Sequence, residues 1–231
     1  MDYGKQNYVS LWRMKSYNGK FLIACLLVIL VGCQGKEETS SVDTLPYYQD
    51  AMFTPVWLDN ESEELKNFHK IPDFQLVNQN GEIVTQNTFE DKFYVADFIF
   101  TSCSGICPQM TENMTVLQET FKTDPDVVLL SHSVTPKIDT VAVLKSYAET
   151  KGVIDSKWHI VTGDRKQIYN LGRNYYFAEQ DLGLTKEADD FLHTENFVLI
   201  DKNKHIRGIY NGLNTQAIEQ LIADIKTLKT Q

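Results

Sequence analysis

Two cysteines in the stretch TSCSGICPQM, residues 101–110, have a spacing that suggests chemistry. Cys103 and Cys107 are separated by three residues, and Gly105 between them lets the loop curl so that both sulfurs can reach one partner atom. The pair can form a reversible disulfide, supply two sulfur ligands to one metal ion, or be inert and buried. A disulfide that closes so short a loop adds comparatively little stability, so redox chemistry or metal binding is the stronger interpretation.

The residue after the second cysteine predicts where the pair lies. Pro108 suits the first turn of a helix, and Met110 and Met114 continue at helical spacing. Cys107 is therefore predicted at the start of a helix, where the helix dipole and unpaired backbone N–H groups lower the pKa of a thiol. Two thiolates select soft metal ions, with Cu(I) and Zn(II) as the leading candidates.

A metal held by two thiolates needs a further ligand, and histidine is the usual one. We expect His69, His159 and His205 to face solvent, because they fall in a predicted tether, at a strand entry and in a turn. His132 lies inside a predicted apolar strand and is expected to be a satisfied core residue. His193 ends an irregular segment just before a strand, and it meets the cysteine loop only if the topology brings the two together.

An acidic residue, Asp97, interrupts the apolar stretch FYVADFIF, residues 93–100. Burying a charged carboxyl is costly, so its pKa should be raised unless it is paired. Asp97 is either an aspartate bonded to a neighbour or an acid–base group that exchanges protons with a thiol of the cysteine pair. The sequence leaves both interpretations open.

The elements that carry these residues alternate between strands and helices. A hairpin with its turn at Asn80-Gly81 comes first, and the buried strand of residues 93–100 then leads into the cysteine loop. A closing hairpin around residues 201–204 and a last helix capped by Thr215 end the chain. This order predicts an α/β fold with a central sheet and helices on both of its faces.

The N-terminal residues have the pattern of a bacterial lipoprotein signal. A basic leader precedes an apolar run over residues 21–31, which is well short of the ~20 residues that span a bilayer, and Leu30-Val31-Gly32-Cys33 closes it. We expect a signal peptide over residues 1–32, a lipidated Cys33 with a flexible tether over 33–67, and one domain over 68–231. The protein would then be anchored extracytoplasmically, on the periplasmic side of a bacterial membrane.

Signal removal changes both the cysteine count and the charge. Cys25 would leave with the signal and Cys33 would carry lipid, so Cys103 and Cys107 would remain as the thiols. The formal net charge of −9 would become −12, because four basic groups and one acidic group are lost. Such a surface argues against nucleic acid as a partner.

Several motifs, in order, resemble the Sco family, also called SenC, of membrane-anchored copper-binding proteins that assist the dinuclear copper centre of cytochrome c oxidase. They cover residues 70–230 and are Phe100-Thr101-Ser102-Cys103 with Cys107-Pro108, Ser133-Val134-Thr135-Pro136 with Asp139-Thr140, Trp158 with Thr162-Gly163, and His193-Thr194 ahead of residues 197–201. Each motif alone is weak, and the ordered set is specific.

The resemblance implies a thioredoxin-like fold with an extra N-terminal hairpin. It also implies copper, as Cu(I) and also Cu(II), held by Cys103, Cys107 and His193, and a copper-accepting subunit of cytochrome c oxidase as partner. Three features depart from the family pattern: Asp97, at a thioredoxin-like spacing before Cys103, and two substitutions, Ser104 where proline is usual and Thr135 where aspartate is common. Neither substituted residue is a metal ligand in the family, so the implied ligand set is unaffected.

Three hypotheses follow. The first is a lipid-anchored copper chaperone that passes its metal by ligand exchange. The second is an enzyme, a thiol–disulfide oxidoreductase in which Cys103 or Cys107 attacks and Asp97 handles protons, since its spacing to Cys103 resembles the buried acid of thioredoxins. The wider cysteine spacing than in thioredoxins counts against the enzyme. The third is an interaction module whose cysteine pair is structural.

Overall fold

The computed structural model describes residues 44–59, 61–179 and 191–231. Contacts divide the chain into two units, and every described residue lies in the second, residues 38–231. The predicted signal peptide and the predicted lipidation site, Cys33, fall outside the described residues. No helix in the described part of the chain is long and apolar enough to cross a membrane.

A mixed sheet forms the centre of the domain. Its strand order is β2-β1-β5-β4-β3-β6-β7, with β3, β4 and β5 mutually parallel and β6 antiparallel to β3. The strands are β1 (Gln75–Asn78), β2 (Ile83–Thr85), β3 (Phe93–Ile99), β4 (Val127–Ser133), β5 (Trp158–Thr162), β6 (Asn196–Ile200) and β7 (Ile206–Asn211).

Helices connect these strands. The residue that caps the last helix is Asn214, whose side chain accepts from two backbone N–H groups, rather than the predicted Thr215. The helices are α1 (Glu63–Lys66), α2 (Cys107–Thr120), α3 (Val141–Lys151), α4 (Arg165–Asn170), which continues into a π-helical turn (Leu171–Tyr175), and α5 (Thr215–Leu228).

Alternate residues of β3 enter two hydrophobic cores on opposite faces of the sheet. Val95 packs in one core with Met110 of α2 and Leu221 of α5. Phe98 packs in the other with Ile168 of α4. Burial on both faces explains why this strand is apolar almost throughout, and it confirms the predicted α/β architecture.

The first hairpin forms as predicted. Leu76 of β1 pairs with Val84 of β2 in an antiparallel register. Gly81 in the connecting turn has φ +79°, a left-handed conformation that glycine adopts without a steric penalty.

Residues 44–58, named here the N-terminal strap, lie against the domain. Leu45 and Tyr47 are buried, and Tyr48 forms a β-bridge with Ile206 at the start of β7. The prediction of a flexible tether therefore does not hold for the strap. Its apolar residues follow no helical or strand period, so their burial depends on contacts with distant residues.

A buried arginine fastens the strap. Arg207 of β7 donates hydrogen bonds to the carbonyl oxygens of Leu45, at 2.7 Å, and Pro46, at 3.1 Å. Its guanidinium lies 3.9 Å from the ring centroid of Tyr47 and pairs with Asp201 at 3.3 Å. The planar fork of arginine can serve all these partners at once.

The strap and the cysteine loop lie at opposite ends of the sheet. Ile206, which bridges the strap, pairs with Ile200, and Ile200 neighbours Tyr94 near the start of β3. Cys103 follows the other end of β3. The seven residues of β3 therefore separate the two features along the strand direction.

Candidate metal and thiol site

The two cysteines lie in the connection between β3 and α2. Cys107 is the first residue of α2 and is buried, whereas Cys103 lies in the loop and is partly exposed. Both are free thiols, and each contributes to the pKa shift of the other. The structure thus brings the predicted pair together and leaves one sulfur more accessible than the other.

The start of α2 acts mainly on Cys103. Partial burial raises the pKa of the Cys103 thiol, but hydrogen bonds from the Cys107 thiol and from the backbone N–H groups of Cys107, Gly105 and Ile106 outweigh it and lower this pKa. Burial, together with the hydrogen bond to Cys103, raises the pKa of Cys107. The prediction that Cys107 has the lowered pKa was wrong, because the loop turns the helix N–H groups toward the other sulfur.

A buried carboxylate holds the start of the cysteine loop. Asp139, which follows β4, accepts hydrogen bonds from the backbone N–H of Thr101, at 3.2 Å, and from its hydroxyl, at 2.6 Å. It also accepts from the hydroxyls of Ser133, at 2.6 Å, and Thr135, at 2.9 Å. Sequence reasoning placed Asp139 in a motif without giving it a role; the hydroxyl residues around it were the available signal.

Asp97 is fully buried in β3, on the face that carries α2. Among the described residues, neither of its carboxyl oxygens has a hydrogen-bond partner of normal geometry, although the nearby Ser131 hydroxyl favours the ionised form. Burial dominates and raises the pKa of Asp97 to about 7. The raised pKa expected from the sequence is confirmed, and Asp97 lies close enough to Cys107 to raise the pKa of that thiol.

The topology brings the segment of His193 to the same end of the sheet as the cysteine loop. Because β6 is antiparallel to β3, with Val198 opposite Ala96, the residues before β6 lie beside those after β3. The rings of Phe191 and Phe100 pack edge to face there, with centroids 5.2 Å apart. His193 itself is exposed.

The predicted three-ligand set is only partly assembled. Within residues 44–59, 61–179 and 191–231, no group of three or more His, Cys, Asp or Glu side chains is arranged to hold a metal ion. The two thiols already share one loop, whereas His193 would have to approach Cys103 and Cys107 to complete a ligand set.

The backbone around His193 is bonded to residues 178–179, shortly after the π-helical turn. The N–H of His193 donates to Glu179 Oε1 at 3.2 Å. The hydroxyl of Thr194 and, at 3.1 Å, the side-chain amide of Asn196 both donate to the carbonyl oxygen of Ala178. We call these contacts between residues 178–179 and 193–196 the neck.

Three other histidines were wrongly predicted to face solvent. Each has a structural partner instead. His205 is buried and its Nδ1 lies 2.9 Å from the carbonyl oxygen of His69, whose Nε2 lies 2.8 Å from that of Tyr175. His159 is half-buried against the ring of Phe89. These pairings join residues far apart in sequence, so local pattern could not predict them.

His132 is a core residue, as predicted, and among the described residues Nδ1 is its one ring nitrogen with a hydrogen-bond neighbour. Its ring stacks on Phe98 with centroids 4.8 Å apart, and Nδ1 lies 3.4 Å from the carbonyl oxygen of Asp97. Nε2 has no hydrogen-bond partner in the described part of the chain. Burial lowers the pKa of His132 to about 4, so the ring is neutral at pH 7.

The fold and the site together define a thioredoxin-like dithiol protein: a mixed sheet flanked by helices, with two thiols at the junction of a central strand and a helix. The family model described as SCO1/SenC matches residues 62–230. The chain belongs to the SCO1/SenC family.

Solved structures agree with this assignment. A SCO1/SenC family lipoprotein from Bacillus anthracis is 31% identical, with a TM-score of 0.61 over 70% of this chain and 95% of that one. BsSco, described with a disulfide switch and as a member of the Sco family of cytochrome c oxidase assembly proteins, is 29% identical, with a TM-score of 0.59 over 70% and 94%. Copper-bound ScoI from Bradyrhizobium japonicum is 27% identical, with a TM-score of 0.53 over 68% and 98%.

Proposed function

We propose that this protein is a lipid-anchored, extracytoplasmic copper-binding protein that delivers copper to the dinuclear copper site of cytochrome c oxidase during assembly of the oxidase. The observation that carries the proposal is the asymmetric dithiol, with Cys103 accessible and Cys107 buried, in a member of the SCO1/SenC family. Copper-bound ScoI and the oxidase-assembly role of the Sco family support the choice of metal and of partner.

The dithiol suits a metal that has to be released again. Soft thiolate ligands favour Cu(I), and the lowered pKa of Cys103 keeps a larger fraction of this sulfur ionised and ready to bind. An incoming thiolate of the acceptor can displace the accessible sulfur first, while the buried Cys107 still holds the metal. Copper is therefore cargo that moves by ligand exchange, one sulfur at a time.

His193 is proposed as the third ligand. Its exposed side chain lies at the end of the sheet that also carries the cysteine loop, and an imidazole is a suitable ligand for copper. Approach of His193 would give Cu(II) a nitrogen donor beside the two sulfurs. Withdrawal of the imidazole would leave the metal on Cys103 and Cys107 for transfer.

Copper titration of the full-length chain in detergent tests the ligand set. The wild-type protein should hold one copper ion against a weak chelator and show a sulfur-to-Cu(II) charge-transfer band. Cys103→Ser/Cys107→Ser should lose both signals, His193→Ala should weaken binding at least about tenfold, and the control His159→Ala should bind normally. Full-strength binding by His193→Ala would remove His193 from the set, and copper retained by the double serine variant would overturn the site.

Delivery and anchoring need separate tests. Loaded protein mixed with the apo form of the oxidase's copper-accepting domain should yield the dinuclear copper spectrum, whereas the double serine variant should not. Incorporation of labelled palmitate into the wild-type protein but not into Cys33→Ser would support the lipid anchor. Equal labelling of both proteins, or wild-type protein released without detergent, would contradict it.

A second candidate function is thiol–disulfide exchange, favoured by the unequal pKa values of the two thiols and by the buried Asp97. The Cys103 thiolate would attack a target disulfide, form a mixed disulfide and release one target thiolate. Cys107 would pass its proton to the Asp97 carboxylate and attack the Cys103 sulfur, which releases the second target thiolate. The target then gains two electrons, and the pair ends as a disulfide.

Kinetics of disulfide exchange separate this candidate from copper delivery. Asp97→Asn should slow reduction of a model disulfide above pH 7 while copper affinity stays within about twofold, because Asp97 acts on the proton of Cys107 and not on the metal. Unchanged exchange in Asp97→Asn would remove the proton-relay role of Asp97.

A further inference from the structure

The residues that hold His193 in place contact its backbone and its chain neighbours, and they are not themselves proposed metal ligands. Glu179 precedes the segment 180–190 and His193 follows it, and the two are joined by the 3.2 Å hydrogen bond of the neck. This hydrogen bond joins the chain just before the segment to the chain just after it. His193 is one of the two joined residues and lies outside the segment.

The carboxylate of Glu179 contacts both the His193 backbone and the Arg173 side chain. One oxygen accepts the N–H of His193, and the other lies 3.5 Å from Nε of Arg173 in the π-helical turn. The two side chains are only 17% and 11% exposed, so water screens this pair less than a surface pair. Arg173 is in turn placed over the ring of Tyr169, 5.3 Å from its centroid.

The residues on both sides of His193 are also fixed. Leu192 is buried, and a Cβ added to Gly172 would lie 2.6 Å from its Cδ1, so Leu192 packs directly on the glycine backbone. On the other side, the Thr194 hydroxyl is bonded to Ala178. Residues 192–194 thus each contact the domain, through the Leu192 side chain, the His193 N–H and the Thr194 hydroxyl.

We propose that Glu179, braced by Arg173, is a positioning residue that holds the His193 backbone at the end of the sheet where the cysteine loop lies. This inference rests on the proposed copper-binding function. Ordering a loop costs about 1–2 kcal/mol per residue in backbone entropy, whereas fixing one side chain costs less. Glu179 thus strengthens copper binding without touching the metal, as outer-shell residues do in metal sites.

Substitutions of Glu179 in the full-length chain test this role. Glu179→Ala should weaken Cu(II) binding about tenfold and speed copper dissociation. Glu179→Gln, which keeps an oxygen acceptor for the His193 N–H, should recover most of the affinity. The matched control is Glu195→Ala, which removes a carboxylate two residues after His193 that contacts Asn211 instead of the His193 N–H. This variant should leave binding unchanged.

Two readouts exclude a general loss of structure. The alkylation rate of Cys103, followed by peptide mass spectrometry, should be the same in Glu179→Ala and wild type, because the cysteine loop is held separately by Asp139. Hydrogen exchange of the His193 amide in the copper-free chain should be faster in Glu179→Ala. If Glu179→Ala does not fold, Glu179→Asp, whose carboxylate is one methylene shorter, should show the same weakening.

The outcomes separate this inference from the proposed function. Wild-type protein that binds no more copper than Cys103→Ser/Cys107→Ser would overturn the proposed function, and the positioning role with it. Normal wild-type binding with equal affinity in Glu179→Ala would overturn the positioning role alone. An unchanged exchange rate of the His193 amide would do the same.

Discussion

His132 Nδ1 lies 3.4 Å from the carbonyl oxygen of Asp97, so two buried titratable residues are neighbours on adjacent strands. Their side chains point to opposite faces of the sheet, with Asp97 toward α2 and His132 against Phe98. Burial stabilises the neutral form of both groups. Their contributions to the pH dependence of stability therefore have opposite signs.

The Asp97→Asn variant should be more stable than the wild type at neutral pH. Asp97 ionises near 3.8 when unfolded and near 7 when folded, so the wild type loses stability as pH rises through this window. The gain in Asp97→Asn should grow from pH 4 to a plateau of up to about 4 kcal/mol above pH 7. Urea unfolding of the copper-free chain measures it. The exposed control Asp73→Asn should show no such rise, and a gain independent of pH would contradict the burial of a protonated carboxyl.

His132→Phe should remove the opposite slope. The unfolded histidine takes up a proton near pH 6.5 and the folded one near pH 4, so the wild type loses stability as pH falls between these values. This loss amounts to at most about 3 kcal/mol and disappears when no histidine is present. Urea unfolding from pH 4 to pH 7 measures it, and curves that stay parallel for variant and wild type would refute the buried neutral imidazole.

Thr101→Val should loosen the cysteine loop. It removes the 2.6 Å hydrogen bond to Asp139, and a bond to a charged group contributes about 1.5–3 kcal/mol. We expect that loss in the free energy of unfolding. The control Thr120→Val removes an exposed hydroxyl of α2 and should cost less than about 0.5 kcal/mol. Equal effects of the two substitutions would show that Asp139 does not hold the loop.

The two thiols should react at different rates. Iodoacetamide should modify Cys103 at least about tenfold faster than Cys107 at pH 7, because Cys103 is more exposed and its pKa is lowered. Peptide mass spectrometry after timed quenching measures both rates. In urea the difference should vanish, and faster modification of Cys107 in the folded chain would reverse the proposed order of ligand exchange.

Arg207→Lys should release the N-terminal strap. Lysine keeps a positive charge beside Asp201 but lacks the planar fork that reaches Leu45 and Pro46, so chymotrypsin should cut at Tyr47 and Tyr48 several-fold faster. The matched control is Arg165→Lys, whose arginine also lies 3.9 Å over a tyrosine ring, that of Tyr169, outside the strap. Unchanged cleavage in Arg207→Lys would show that other contacts hold the strap.

The sequence predicted those features that depend on local pattern. The apolar stretch that became β3, the turn at Gly81 and the helix after Cys107 each follow from the spacing of nearby residues. The pKa of Asp97 was also predictable in direction, because a carboxyl within a buried strand is desolvated wherever that strand lies.

The features that were missed depend on residues distant in the chain. Which sulfur receives the helix N–H groups is decided by how the loop around Gly105 turns, and residue spacing does not specify that. The roles of Asp139 and Glu179 arise from contacts 38 and 14 residues away along the chain. The strap is held by Arg207, more than a hundred residues beyond it in the sequence.

The position of the strap sets how far the proposed anchor lets the domain travel. If Cys33 carries lipid, the chain between it and Thr44 spans at most about 40 Å when fully extended. The strap is attached beside the start of β3, so the cysteine loop lies a further strand length, about 20 Å, along the sheet. The thiols would then lie at the end of the domain far from the strap attachment and could reach copper acceptors on the order of 60 Å from the bilayer surface.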